Sequence, residues 1–144
     1  MSTLVREFHE AFDIPILGQP SIPDYKRVKL RRRLLQEEFK EADAEFDRIL
    51  LRWHDYKRAM DVYEDIARLA KELSDVRYVA WGADLEFGIP SEAVDLSVHR
   101  SNMSKLGPDG RPVRRHDGKV LKGPNYHEAN VLNAIGIYEG VIVP

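Results

Sequence analysis

The chain has 144 residues, of which 43% are hydrophobic and 32% are charged. This length suits one domain that spans residues 1–144, and the composition is too apolar for a disordered chain. The chain has no cysteine, which excludes disulfides and thiolate metal sites and agrees with a reducing cytosol. The start lacks an apolar signal core, and no stretch approaches the roughly 18 apolar residues of a membrane span, so we expect a cytoplasmic protein without a membrane partner.

The net charge is −2, but the two signs are unevenly distributed. Between Arg100 and Lys122 the chain has seven lysines and arginines against two acids, whereas the remaining sequence is acidic. An acidic body with one basic segment is able to bind a polyanion through a bridging cation. A solvated charged loop explains the same pattern, so the charge distribution alone leaves both interpretations open.

In chain order, the N-terminal half contains two predicted helices separated by a loop. Residues 2–12 are predicted to form a short helix, and residues 13–23 hold three prolines and a glycine, which are typical of a loop. Asp24 is the predicted N-cap of a helix over residues 24–51, which contains no glycine or proline. The apolar residues of this helix recur at helical steps and are Val28, Leu35, Phe39, Ala42, Phe46 and Ile49.

The C-terminal half begins with a predicted helix over residues 56–86, which Gly88 and Pro90 end. A further helix is predicted over 91–106, then a loop to residue 126 with a hairpin at Asp117–Gly118, and a short helix over 127–137. The predicted fold is therefore an all-α bundle with core helices over 24–51, 56–86 and 91–106. Because the helix over 24–51 is apolar on two sides, we expect dimerisation to complete the bundle.

Two clusters of carboxylates occur on the predicted helices. The first is Glu-Glu-Phe-Lys-Glu (37–41), and the second is Glu-Leu-Ser-Asp (72–75). Spacings of three and four place side chains on neighbouring turns of a helix, about 5–6 Å apart at Cβ, where like charges repel. Hard divalent cations such as Mg²⁺ bind oxygen ligands of this type. Two antiparallel helices that each offer an acidic pair therefore predict a metal site.

The same residues resemble the motifs of a known superfamily. Leu-Leu-Gln-Glu-Glu-Phe-Lys-Glu (34–41) and Glu-Leu-Ser-Asp (72–75) are similar to the Glu-x-x-Glu and Glu-x-x-Asp motifs of the all-α NTP pyrophosphohydrolases. That superfamily includes MazG-type enzymes, dimeric dUTPases and phosphoribosyl-ATP pyrophosphohydrolase. The stretches 98–105 and 117–126 resemble the tail of a MazG-like subgroup, so that the resemblance covers most of residues 24–126.

The resemblance implies a nucleotide-housecleaning enzyme that hydrolyses a nucleoside triphosphate to the monophosphate and diphosphate. It implies two or three Mg²⁺ ions per site, with Mn²⁺ as a possible substitute, in a homodimer or a dimer of dimers. By similarity to the dUTPases, dUTP is the favoured substrate, and phosphoribosyl-ATP is less favoured. The positions that match metal ligands are Glu37, Glu38, Glu41, Glu72 and Asp75, with Glu38 or Glu37 as catalytic base. The positions that match substrate-binding residues are Asn102, Lys105, Lys119, Lys122 and Tyr126.

An alternative from another class is a non-enzymatic, dimeric helical module that binds nucleic acid through the basic 100–122 segment. This alternative predicts salt-sensitive oligonucleotide binding without a magnesium requirement. The enzyme hypothesis is favoured over it, and a nucleic-acid partner is not expected. The residues alone do not decide between attack at the α- and the β-phosphorus.

Overall fold

The structure, a computed structural model, describes residues 2–54 and 59–136. It divides into two compact units, Met1–Gly88 and Ile89–Pro144. The first contains α1 (Ser2–Ala11), α2 (Tyr25–Arg52) and α3 (Ala59–Phe87), and the second contains α4 (Ser91–Met103) and α5 (Val131–Ala134). The predicted all-α class is confirmed. Within the described ranges, no helix is long and apolar enough to cross a membrane.

Both ends of α2 and the end of α3 agree with the sequence signals to within a residue or two. Asp24 is the N-cap of α2, as predicted, because its Oδ1 accepts from the backbone N–H groups of Lys26 and Arg27 at 2.9 and 3.1 Å. Gly88 follows the last residue of α3 with φ of 64°. A Cβ at Gly88 would lie 2.0 Å from the backbone oxygen of Gln19, so only glycine fits there. The predicted start of α3 at residue 56 lies outside the described residues.

The proline-rich loop is attached to the C-terminal end of α3. The backbone N–H of Leu17 donates to the carbonyl of Leu85 at 2.8 Å, and that of Ser21 donates to the carbonyl of Phe87 at 3.0 Å. The last carbonyls of a helix have no partner within the helix. These bonds therefore give hydrogen-bond partners to carbonyls of α3 and to backbone N–H groups of the loop. Residues 13–23 are therefore an ordered loop, as the sequence indicated.

Charged side chains pair across the interface between α2 and α3 near both of its ends. Near the start of α2, Arg31 and Arg27 each donate from Nε to the carboxylate of Glu86 on α3, both at 2.8 Å. Near the end of α2, Arg52 Nη1 donates to both oxygens of Asp65, at 3.1 and 3.0 Å. Because Glu86 and Asp65 are each 1% exposed, such partners are needed to offset the cost of burying their charge.

Helix α1 contacts the group formed by Arg27, Arg31 and Glu86 through His9, which is 2% exposed. Its Nδ1 lies 3.3 Å from the carbonyl oxygen of Pro15, and its Nε2 lies 3.0 Å from Nη2 of Arg31. This places the ring proton on Nδ1 and leaves Nε2 as the acceptor. Burial lowers the pKa of His9, so the ring is neutral in this environment. A Cβ at Gly82 of α3 would lie 2.6 Å from Arg31 Nη1, so the absence of a side chain at Gly82 makes room for the guanidinium.

The apolar stripe predicted for α2 is not packed into a closed core with α3. Of its six residues only Ala42 is buried, whereas Phe39 is 66% and Phe46 is 46% exposed. Among the described residues, Val5 and Ala42 alone are buried hydrophobic residues. The stripe borders an open groove of about 550 Å³ between α2 and α3, lined among others by Val28, Leu35, Phe39, Val76 and Phe87. Part of the stripe therefore borders a groove that α3 does not fill, and charged side chains pair beside it.

The second unit contains less regular structure. Helix α4 ends at Met103, three residues before the predicted end, because the chain tightens into i→i+3 bonds from Lys105 and Leu106. Isolated antiparallel bridges join Leu106 to Pro112 and Arg114 to Val120. The second bridge encloses the turn at Asp117–Gly118, where the sequence predicted a hairpin. Of the helix predicted over 127–137, residues 131–134 are helical, and residue 137 lies outside the described residues.

Candidate metal centre

The charged positions of α2 that face α3 recur every seven residues, at Arg31, Glu38, Glu45 and Arg52. Seven residues are close to two helical turns, so all four side chains lie on one side of the helix. Three of these positions meet opposite charges on α3. Arg31 and Arg52 pair as described above, and Glu45 lies 3.7 Å from the guanidinium of Arg68.

The fourth position, Glu38, meets two acids instead. Glu38, Glu72 and Asp75 each place one carboxylate oxygen within 4.8 Å of the other two, and all three side chains are half-buried. We call these three residues the acidic layer. Burial raises the pKa of Glu38, and the charges of Glu41 and Asp75 raise it further. The acidic layer is therefore a place where like charges are held together at a cost in stability.

Among the described residues, Lys71 places a positive charge against the acidic layer. Lys71 Nζ lies 3.1 Å from Oε2 of Glu72 and 3.0 Å from Oδ2 of Asp75, and the lysine side chain is 62% exposed. Hydrogen bonds to Asp75 and then to Glu72 raise the pKa of Lys71 above its ordinary value, so the ammonium is charged. Its one positive charge does not balance three carboxylates.

The structure separates the five predicted metal ligands into a central group and two flanking residues. Glu38, Glu72 and Asp75 come together as the acidic layer. Glu41 is exposed one turn further along α2, and its charge acts on Glu38. Glu37 is 54% exposed, and its Oε1 lies 3.6 Å from Arg33 Nε in an ion pair between neighbouring turns of α2.

The predicted substrate-binding residues lie in the second unit, where four of the five form two pairs. Lys105 Nζ donates to Oδ1 of Asn102 at 2.6 Å, and Lys122 Nζ lies 4.1 Å from the ring centroid of Tyr126. The backbone N–H of Gly123 donates to the carbonyl of Lys105 at 3.1 Å, which brings the two pairs close together. The fifth residue, Lys119, is exposed next to the Asp117–Gly118 turn.

Sequence reasoning missed the residues that surround the acidic layer. The ion pairs of Arg31 with Glu86 and of Arg52 with Asp65 join residues far apart in sequence, and no local pattern indicates such partners. Lys71 had a usable signal, because it lies one residue before Glu72 and four before Asp75, a spacing at which lysine and aspartate pair on a helix.

The donors of the acidic layer suit a hard divalent cation. They are carboxylate oxygens, which Mg²⁺ and Mn²⁺ prefer, and they come from two helices that other ion pairs hold together. Burial, and then the charges of Glu41 and Asp75, raise the pKa of Glu38, so its negative charge is unfavourable there without a cation. A divalent ion bound to Glu38, Glu72 and Asp75 would offset that charge, so the residues present fit the metal.

The fold and this site define an all-α protein in which two long antiparallel helices present a cluster of acids able to bind metal. A family model described as phosphoribosyl-ATP pyrophosphohydrolase matches residues 5–102. The match covers more than half of the chain, which therefore belongs to this family, within the MazG-like all-α NTP pyrophosphohydrolase superfamily. Proteins of this family are typically metal-dependent pyrophosphohydrolases that act on acid anhydrides. No curated protein in the comparison matches the chain.

Proposed function

We propose that the protein hydrolyses a nucleoside triphosphate to the monophosphate and diphosphate with the help of Mg²⁺. The observation that carries this proposal is the acidic layer, an unbalanced cluster of acids in an interface where the neighbouring charged positions are paired. Structural ion pairs explain the neighbouring charged positions, but they do not explain three acids whose carboxylate oxygens lie within 4.8 Å of one another. A bound divalent cation does, and the family membership supplies the reaction class.

In the proposed reaction, Glu38, Glu72 and Asp75 hold the metal, with Glu41 and Glu37 as further candidate ligands. Bound Mg²⁺ would offset the charge of the triphosphate and acidify a water molecule. Glu38, or Glu37 next to it, accepts the proton of the water whose oxygen attacks the α-phosphorus. The bond from the α-phosphorus to the bridging oxygen breaks, and diphosphate leaves with the electron pair.

The second unit is proposed to contribute the substrate contacts that lie outside the acidic layer. Lys105, Lys119 and Lys122 offer charge to phosphates, Asn102 offers an amide, and the ring of Tyr126 offers a surface for a sugar or base. The contacts between Asn102 and Lys105 and between Lys122 and Tyr126 support this, because they group these functions in one part of the unit.

Two substrates are supported by different observations. The resemblance of the sequence to the dUTPases of the superfamily favours dUTP, and the basic tail beyond residue 102 suits the nucleotide-housecleaning branch better than phosphoribosyl-ATP. The matching family model is named for phosphoribosyl-ATP. Both compounds contain the same reacting bond, between the α- and β-phosphates, so the acidic layer serves either substrate, and dUTP remains our first choice.

The proposal is tested by incubating the protein with a panel of dNTPs, NTPs and phosphoribosyl-ATP and separating the products by chromatography. We expect monophosphate and diphosphate from one preferred nucleotide with Mg²⁺, and none with a chelator. In the same assay, Lys122→Met is expected to raise KM for that nucleotide. Turnover that persists in excess chelator, or no hydrolysis of any compound in the panel, would contradict the proposed function.

We also propose that the protein is a homodimer or a dimer of dimers, supported by the exposed surface of α2. Residues 26–33 carry six basic residues and no acid, whereas residues 37–47 carry six acids and one lysine. Two copies of α2 placed antiparallel across a two-fold axis would bring opposite charges together. They would also cover Phe39, Phe46 and Leu50, which are 46–67% exposed in one chain. Sedimentation at several concentrations tests this, and a single species of 16.6 kDa throughout would contradict it.

A further inference from the structure

Lys71 differs in its surroundings from the arginines that pair across the interface of α2 and α3. Arg31 is buried among Glu86, His9 and the backbone at Gly82, so that its position is fixed from several sides. Lys71 is 62% exposed, and it forms ion pairs with two acids of the acidic layer, Glu72 and Asp75. These two acids are also the α3 residues that the proposed metal would use.

We propose that Lys71 is an internal counter-ion that stabilises the acidic layer without metal and competes with the first divalent cation for Glu72 and Asp75. The inference rests on the proposed function, because it assumes that the acidic layer binds a divalent ion. The ammonium contacts one oxygen of each carboxylate, at 3.1 and 3.0 Å. An ion that takes these oxygens as ligands comes close to the ammonium, and repulsion between the two positive charges favours withdrawal of Lys71.

Because Lys71 lies on an exposed part of α3, its displacement from the acidic layer by a metal ion requires little free energy. A lysine has a long, flexible stem, and with most of its side chain in water Lys71 regains solvation when it leaves the acids. It therefore acts as a replaceable charge and not as a permanent part of the site. Its ion pairs are with Glu72 and Asp75, and its charge reaches Glu38 as well, where it opposes the rise in pKa caused by burial and by the neighbouring acids.

The proposal predicts two opposite effects of Lys71→Met, which removes the charge and keeps an unbranched side chain of good helix propensity. Without metal, the midpoint of thermal unfolding should fall, because the acids lose their counter-ion. Isothermal titration should show that the variant binds Mg²⁺ and Mn²⁺ about fivefold more tightly than the wild type. This factor corresponds to the interaction of two unit charges about 4 Å apart in water. Lys71→Arg should restore the unfolding midpoint, because it restores the charge.

Lys40→Met is the matched control. Lys40 is an exposed lysine of α2 next to Glu41 in the sequence, and it makes no ion pair within the described residues. Removal of its charge should change neither measurement to a comparable extent. If Lys71→Met leaves the metal-free midpoint unchanged, or binds Mg²⁺ no more tightly than the wild type, the role of Lys71 is refuted while the metal site stands. If the wild type binds neither ion, the proposed function itself fails, and the exchange at Lys71 fails with it.

Discussion

Replacement of Glu38 by glutamine is expected to lower kcat for nucleotide hydrolysis by about 10²–10⁴-fold, the range for loss of a positioned acid or base. Glu38 is the α2 member of the acidic layer and our first choice for the group that accepts the proton of the attacking water. The fold should survive, because burial and then repulsion by Glu41 and Asp75 raise the pKa of Glu38, and glutamine removes the charge that they disfavour. The measurement is steady-state kinetics at saturating Mg²⁺, with thermal unfolding of the metal-free protein alongside.

Two further variants serve as controls for the effect of Glu38→Gln on kcat. Glu64→Gln, the same change at an exposed acid of α3, should keep wild-type kinetics. Glu37→Gln separates the two candidate bases, because Glu37 lies outside the acidic layer in an exposed ion pair with Arg33. A Glu38→Gln enzyme with near-normal kcat would overturn the assignment of Glu38.

Replacement of Glu86 by glutamine is expected to lower the free energy of unfolding by about 3–5 kcal/mol, the usual cost of breaking a buried ion pair from one side. The carboxylate of Glu86 is 1% exposed and binds Arg27 and Arg31, so its loss leaves Arg31 charged and buried. Chemical denaturation at fixed protein concentration measures the effect. Glu37→Gln, which breaks an exposed pair, should cost less than about 1 kcal/mol.

The effect of Glu86→Gln should also depend on pH. Burial alone would raise the pKa of Glu86, but the hydrogen bonds and charges of Arg27 and Arg31 lower it below the ordinary 4.5. A carboxyl with a lowered pKa in the folded state stabilises fully above pH 4.5 and loses this contribution as pH falls through the lowered value. The difference between wild type and Glu86→Gln should therefore be constant near neutrality and shrink below pH 4.5. A difference that stays small at all pH values would mean that the pair contributes little.

Most of the helical architecture could be predicted from the sequence because its signals are local. Asp24, the absence of glycine and proline up to residue 51, and Gly88 mark helix ends through backbone chemistry that needs no tertiary partner. The acidic layer was predictable for a similar reason. Glu38, Glu72 and Asp75 belong to short motifs on two helices, and an antiparallel pair of helices brings such motifs together.

What the sequence could not indicate is which face of α2 packs against α3. Periodicity shows that Val28, Leu35, Phe39 and Phe46 share a side, and the usual inference is that an apolar side is the interior. In the structure this side borders a groove that α3 leaves open, and Arg31, Glu45 and Arg52 pair with charged residues of α3. The partners of these three residues lie more than ten residues away in the sequence, and α3 presents complementary charges to them only in the folded chain. An apolar stripe left exposed by one chain agrees with its use between two copies.

Electron paramagnetic resonance, which counts bound Mn²⁺, tests most directly whether the acidic layer binds divalent cations. The wild type, without nucleotide, should bind Mn²⁺ saturably and release it to excess Mg²⁺. A Glu72→Gln/Asp75→Asn double variant, which keeps the size of both side chains, should lose this binding and still unfold cooperatively. Unchanged Mn²⁺ binding by a folded double variant would contradict the account, because the ion would then be bound elsewhere.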